Sequence, residues 1–421
     1  MKQKYLTRMA DKVLSSALEA SGAVLIEGPK WCGKTRTAEE KAVSALYMQD
    51  PDHTASYLKA ADIKPSILIN GDTPRLIDEW QMAPVLWDAV RFAIDQRGET
   101  GQFILTGSAV PKDNAVQHTG TGRISRMTMR PMSLFESLES NGMVSLKSLF
   151  DGTAVGECFS SLTIEKLAFA LIRGGWPASI GQTTSIAPQQ VYDYVDAVIN
   201  IDVSRVDGVE KNPMRLRALM RSLARNVSTA TSITTIQQDI AVDKETISEK
   251  TISAYLNALR RIFVIEDLPA WNPAMRSKTA LRTSPKRHFV DPSIAAAVLR
   301  ANSDSLLSDF NTFGLMFESL CIRDLRAYAQ AIDGEVFHYR DKGRLEADAI
   351  VHLKDGRWGA VEVKMGAKEI EIATENLKTL REKINLDKMK QPSFLMVLTA
   401  GELGYKRNDG VYIVPIGALK D

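Results

Sequence analysis

The stretch Gly28-Pro29-Lys30-Trp31-Cys32-Gly33-Lys34-Thr35 satisfies the pattern G-x-x-x-x-G-K-[ST], and it restricts the fold of this chain more than any other feature. Ala23-Val24-Leu25-Ile26 before it reads as a short buried strand, and Arg36 to Leu46 after it reads as a helix. Strand, glycine-rich turn and helix start are what a phosphate cradle requires, because successive backbone N–H groups and the helix N-terminus converge on an anion. Lys34 is then placed to reach the β- and γ-phosphates of a nucleotide, and the Thr35 hydroxyl to complete a Mg²⁺ shell. ATP and Mg²⁺ are the implied ligands. The competing reading is a plain glycine turn, which leaves the flanking strand and helix unexplained.

Hydrolysis needs a second strand ending in acid. Leu76-Ile77-Asp78-Glu79 supplies it, with Asp78 expected beside Mg²⁺ and Glu79 expected to polarise the attacking water. A further strand, Gln102-Phe103-Ile104-Leu105, ends in Thr106-Gly107-Ser108. In additional-strand ATPases a polar residue here senses the γ-phosphate, so Thr106 and Ser108 are candidates; Ser108 also suits a helix N-cap. Val85 to Gln96 carries apolar residues at helical spacing and supplies a crossover. Strands alternating with helices predict a parallel sheet covered on both faces.

Arg123, Arg126 and Arg130 fall within eight residues, in a run without acidic neighbours. Arg123 is a candidate for nucleotide contact, in cis or from a neighbouring subunit, against the alternative of a solvated basic strand. The combination of the phosphate loop with Ile77-Asp78-Glu79-Trp80-Gln81, Ile104-Leu105-Thr106-Gly107-Ser108, Gly122-Arg123-Ile124 and Met129-Arg130-Pro131-Met132-Ser133-Leu134-Phe135-Glu136 resembles a widespread family of prokaryotic AAA-type ATPases. That resemblance spans nearly the whole chain. It implies a P-loop α/β sheet domain, and a C-terminal domain similar to restriction endonucleases.

With 421 residues, 44% hydrophobic and 25% charged, the chain suits a soluble protein of two or three domains. We place them at 1–140 (ATPase), 141–288 (helical lid and winged helix) and 289–421 (nuclease-like). The 53 Lys and Arg nearly balance 51 Asp and Glu, leaving +2, so any nucleic-acid contact must rest on local patches. Cys32, Cys158 and Cys321 have neither metal-ligand nor disulfide-framework spacing. The five histidines, His53, His118, His288, His338 and His352, lack ligand spacing too. No 18-residue apolar run is present. A reducing cytoplasm without membrane attachment is the expectation.

In the middle, Lys211 to Ala230 contains no Asp or Glu, and Arg217, Arg221 and Arg225 recur every four residues, forming one stripe on a helix. Ile233 to Ala241, a turn, a helix capped by Ser248 and running to about Arg261, and the strand Phe263-Val264-Ile265 give the layout of a winged helix. Its exposed face would carry Lys250 and Arg260, and the basic loop Pro269 to His288 follows. DNA is the favoured partner of Arg217, Arg221, Arg225, Lys250 and Arg260; winged helices also bind proteins.

The C-terminal region carries a D…E-x-K constellation. Ala347 to Val351 and Ala360 to Lys364 read as paired strands that bring Asp348 opposite Glu362, and the period of two puts Glu362 and Lys364 on one face. Glu318 lies on a predicted helix, Gly314 to Ala329. In a nuclease, Asp348, Glu362 and Glu318 would hold Mg²⁺, and Lys364 would assist hydroxide formation. Nuclease-like folds also persist without catalysis. Two readings follow for the whole chain: an ATP-driven, DNA-associated enzyme, or a nucleotide-dependent switch that recruits a protein partner. Homo-oligomers are compatible with either.

Overall fold

The computed structural model describes residues 4–108, 119–204, 211–240, 247–273, 284–384 and 389–421. His118, the expected turn at Val242-Asp243, and Arg276, Lys278 and Arg282 of the basic loop lie outside them. The chain forms two compact units.

The first unit runs from the N-terminus to Pro131 and includes short pieces beginning at Asp202 and at Ala258. Its elements are α1 (Met9–Ala20), β1 (Ala23–Glu27), α2 (Lys34–Glu39), β2 (Ser44–Tyr47), α3 (Thr54–Ile63), β3 (Arg75–Asp78), α4 (Val85–Arg97), β4 (Phe103–Gly107) and β5 (Ile124–Thr128). The five strands are parallel in the order β2-β3-β4-β1-β5. Alternation along β1 explains why both faces are covered. Ala23 and Leu25 pack with Trp87 and Leu86 of α4 in one cluster, and Val24 and Ile26 pack with Leu14 and Leu18 of α1 in another. Parallel strands bury both faces in this way.

The predicted helix from Arg36 to Leu46 is corrected: α2 ends at Glu39, and Ser44–Tyr47 is an edge strand against β3. A four-residue apolar-rich run such as Ser44–Tyr47 does not by itself distinguish strand from helix; here pairing with β3 decides it.

The second unit holds the remainder. In chain order its elements are β6 (Val144–Ser145), α5 (Leu146–Asp151), β7 (Glu157–Phe159), α6 (Ile164–Arg173), α7 (Ala187–Ala197), α8 (Pro213–Arg225) and α9 (Ile233–Ile240). There follow α10 (Glu249–Arg261), whose last residues fall in the first unit, α11 (Pro292–Leu299), α12 (Ser303–Ser308), α13 (Phe310–Ala331), β8 (Gly334–Arg340), β9 (Glu346–Leu353) and β10 (Trp358–Lys364). The chain finishes with α14 (Ile370–Lys383), β11 (Phe394–Thr399), β12 (Leu403–Lys406), β13 (Tyr412–Pro415) and β14 (Leu419–Lys420).

Seven strands form a mixed sheet in the order β7-β12-β13-β11-β10-β9-β8. The strand β7 joins it from residues 157–159, and β6 pairs with β14. Residues 144–159, expected in the middle domain, therefore build part of the C-terminal sheet system. After α10, Phe263 takes φ 57°, and the expected strand is reduced to antiparallel bridges, Ile265 with Phe289 and Leu268 with Lys286.

Candidate active site of the P-loop unit and the buried charge cluster

The phosphate loop follows β1 directly. Gly28 is required by close approach: a Cβ there would stand 2.1 Å from the Met129 carbonyl oxygen. Gly33 turns the chain into α2 at φ 102°, a conformation that costs a side-chain-bearing residue. Lys34 is buried, and its Nζ donates to the carbonyls of Gly28 (2.9 Å) and Pro29 (2.7 Å). Lys30 pairs with Asp202 at 2.6 Å, while Trp31 is 51% exposed. Cys32 is fully buried, with its Sγ donating to the Met129 carbonyl at 3.6 Å and its own carbonyl accepting from Arg8 at 2.8 Å. It is a packing residue of the loop.

Strand order brings the acids to this loop. Because β4 lies between β1 and β3, the ends of all three strands converge. Thr35 Oγ1 donates to Asp78 Oδ1 at 2.7 Å, and Thr106 Oγ1 donates to the same oxygen at 2.6 Å. Thr106 Oγ1 also accepts from the Glu79 N–H at 3.1 Å. Glu79 sits at φ 55°, a left-handed conformation costing about 1–2 kcal/mol for an ordinary residue. Its carboxylate accepts from Ser108 Oγ at 3.1 Å and from Gln81 Nε2. Thr106 thus serves Asp78 and Ser108 serves Glu79. Together with the Gly28 cradle, the Thr35 hydroxyl and the Asp78 carboxylate form a hard-oxygen donor pair that fits Mg²⁺.

Arg123 does not join them. It precedes β5, whose Ile124 pairs with Ala23 at the start of β1, whereas the phosphate loop leaves the other end. The strand between spans roughly 13 Å. Arg123 instead binds Asp95 at 2.8 Å, so its expected contact with nucleotide in cis is corrected. Arg126 pairs with Glu27 at 2.9 Å and lies over the Trp87 ring.

In the second unit, the long-range expectation is met: Asp348, Glu362, Lys364 and Glu318 come together. Residues Asp348 and Glu362 follow from the register that pairs Ala349 with Val361. Lys364 Nζ lies 2.7 Å from Glu362 and 3.6 Å from Asp348. A fifth member, Lys286, was missed. Its Nζ donates to Glu318 Oε1 at 2.7 Å and to Asp348 Oδ1 at 3.1 Å. Asp348 Oδ2 accepts from the Val363 N–H at 2.9 Å. Among the described residues no group of three or more Asp, Glu, His or Cys is arranged to hold a metal ion. Ammonium groups face the three carboxylates expected to hold a metal: Lys286 meets Glu318 and Asp348, and Lys364 meets Glu362.

Three carboxyl groups face two ammoniums in a buried region, so full ionisation of all three would leave an unpaired negative charge there. Burial, reinforced by Asp348, raises the Glu318 pKa to about 7 and raises that of Glu362 too. Burial alone would raise Asp348 as well, but Lys286 and Lys364 hold it below the usual carboxylate range. Burial pushes His288 and His338 below their ordinary 6.5.

The signs of these shifts differ. A raised carboxyl pKa gives stability that is complete below the ordinary value near 4.5 and is lost as pH rises through about 7. Depressed histidines give stability that is present above 6.5 and is lost as pH falls. The melting temperature of the second unit should therefore fall as pH rises from about 7 to 8, where the unfolded histidines have lost most of their protons and the raised Glu318 and Glu362 carboxyls dominate the slope. Calorimetry across about pH 7 to 8 checks this, and Glu318→Gln should flatten the slope; a Glu318→Gln slope equal to wild type would contradict the assignment.

The arginine stripe also takes shape. Arg217, Arg221 and Arg225 are exposed on α8 and, with Met214, Ala218, Ser222 and Asp239, line a groove of about 530 Å³. Arg217 pairs with Asp196 at 3.0 Å across an exposed surface. Lys250 is exposed and Arg260 half-buried. Among the described residues no helix is long and apolar enough to cross a membrane.

Comparison with known proteins divides the chain in three. Residues 20–138 match an AAA domain family, 164–305 a domain of unknown function (DUF8612), and 313–419 another (DUF4143). The uncharacterized proteins Mb2031c of Mycobacterium bovis and Rv2008c of Mycobacterium tuberculosis are each 24% identical over 349 residues, covering 82% of this chain and 71% of theirs. The Walker-type ATPase PABY2304 of Pyrococcus abyssi aligns with a TM-score of 0.44 at 15% identity, over 71% of this chain and 97% of its own. The N-terminal part of the chain is thus similar to AAA domains over residues 20–138, the segment that contains the phosphate loop.

Proposed function

We propose that the chain is a Mg²⁺-dependent ATP hydrolase that works in association with DNA. The hydrolase reading rests on one observation: Thr35 and Thr106 both hold Asp78, while Ser108 and Gln81 hold the adjacent Glu79. Mg²⁺ bound with ATP neutralises phosphate charge as the γ-phosphoryl group is transferred. Thr35 and Asp78 would hold it. Lys34, released from the Gly28 and Pro29 carbonyls, binds the β- and γ-phosphates. Glu79 orients the attacking water and takes its proton. Phosphate release by wild type and Lys34→Ala tests this; a Lys34→Ala protein as active as wild type would remove the assignment.

The DNA part rests on the α8 groove, where three exposed arginines recur at one-turn spacing. Three helices followed by antiparallel bridges support the winged-helix reading of this region. Sequence readout is not required, since arginines on phosphates bind through charge. If each arginine neutralises one phosphate, replacing all three by Ala should make the plot of log affinity against log salt shallower by about 3. Fluorescence anisotropy with a labelled duplex measures it. A triple variant with the wild-type slope would transfer support to the second reading, a nucleotide-dependent switch that recruits a protein.

A further inference from the structure

A nuclease-like fold implies a divalent cation among Glu318, Asp348 and Glu362, but the residues present do not leave room for one. We infer that the Lys286 ammonium permanently occupies the position of that cation, so the C-terminal cluster is a metal-free, closed site that does not cleave DNA. This inference is independent of the ATPase reading.

Lys286 is held from both ends. Its backbone N–H donates to the Leu268 carbonyl at 3.0 Å and its carbonyl accepts from the Leu268 N–H at 2.9 Å, so an isolated antiparallel bridge fixes its backbone. Its Nζ then bridges Glu318 on α13 and Asp348 on β9, two carboxylates from different elements, at 2.7 and 3.1 Å. This is the geometric task a metal performs in such a site: one positive centre joining acids that would otherwise repel.

Both Asp348 oxygens and one Glu362 oxygen are engaged as well. Asp348 Oδ1 faces Lys286, while Asp348 Oδ2 accepts the Val363 N–H and faces Lys364. Glu362 Oε2 is bound by Lys364 at 2.7 Å. Mg²⁺ requires near-octahedral oxygen ligation at about 2.0–2.1 Å and usually retains several waters. Its entry would have to expel an ammonium whose side chain is only 10% exposed. An ammonium separated from its carboxylates in a buried region carries a heavy desolvation cost. The two lysines also differ in origin. Lys364 belongs to the E-x-K strand itself, whereas Lys286 arrives from a segment 62 residues before Asp348, so the cation position is filled by a residue outside the D…E-x-K pattern.

The test uses the whole 421-residue chain without nucleotide, with Mn²⁺ as probe followed by electron paramagnetic resonance. Wild type should bind no Mn²⁺ that is lost on Asp348→Asn. Lys286→Met should gain one Mn²⁺ site, and Lys286→Met combined with Asp348→Asn should lose it. Should Lys286→Met fail to fold, the wild-type and Asp348→Asn comparison still decides. Plasmid incubated with Mn²⁺ and wild type should remain supercoiled. Three results would each overturn the inference: Mn²⁺ bound by wild type and abolished by Asp348→Asn, nicking abolished by Glu362→Ala, or a folded Lys286→Met that gains no site. Phosphate release by the same preparations reports on the ATPase separately, so failure of one reading is distinguishable from failure of the other.

Discussion

A Glu79→Gln protein should bind ATP as wild type does and hydrolyse it about 10²–10⁴-fold more slowly, the usual contribution of a positioned general base. The substitution keeps shape and removes basicity. A glutamine carbonyl at this position can still accept from Ser108 Oγ, now 3.1 Å from Glu79 Oε2. The backbone N–H of residue 79 keeps its bond to Thr106, which holds the left-handed turn. Asp78, bound by Thr35 and Thr106, is untouched.

Binding and turnover should therefore separate. Lys34→Ala should behave differently and lose binding itself, because it removes the side chain proposed to meet the phosphates, which here bonds the Gly28 and Pro29 carbonyls. Nucleotide binding followed with a fluorescent ATP analogue, alongside single-turnover phosphate release, distinguishes the two. Wild-type turnover by Glu79→Gln would show that another group activates the water.

The second large effect concerns stability. Arg323→Met should cost roughly 3–5 kcal/mol, the penalty for breaking a buried ion pair from one side. Arg323 lies between Asp291 and Asp324, all three being essentially inaccessible, at 2.8 and 2.7 Å. Both acids also organise backbone. Asp291 accepts from the Ser293 N–H at the start of α11 and from the Gly175 N–H, and Asp324 accepts from the Leu134 N–H.

One escape limits the loss. Burial already raises Asp324 to about 6 against the opposing pull of Arg323, so without the arginine it can take up a proton. Urea unfolding near neutral pH measures the change. A loss below about 1 kcal/mol would mean that protonation compensates almost fully. Arg323→Lys should rescue only part, since one ammonium does not reproduce the guanidinium fork that reaches both acids. The network also accounts for Met132-Ser133-Leu134-Phe135-Glu136: Leu134 donates to Asp324 and Phe135 to Tyr328, so this part of the motif is an anchor within the second unit rather than a nucleotide contact.

The sequence alone determined what local residues enforce. The phosphate loop was legible because its function resides in eight consecutive residues and the elements beside them. Asp78 and Glu79 were legible because an apolar strand ending in acid is a local pattern, and the Asp348–Glu362 pairing because a short hairpin specifies its own register. Long-range placement escaped the same reading. Arg123 looked like a nucleotide contact until the direction of β5 put it at the end of the strands away from the phosphate loop.

Likewise β2 merged with the preceding helix until β3 paired with it, and β7 gave no sign that it would complete a sheet more than 240 residues away. Lys286 was the most consequential omission. A lysine in a basic loop reads as solvated, and only the fold brings its ammonium to Glu318 and Asp348. Thus the residue types of both sites are written locally, whereas the charge state of the second depends on which segment delivers its cation. Electrostatic character is a property of distances that chain order does not encode, and tertiary structure alone decided it.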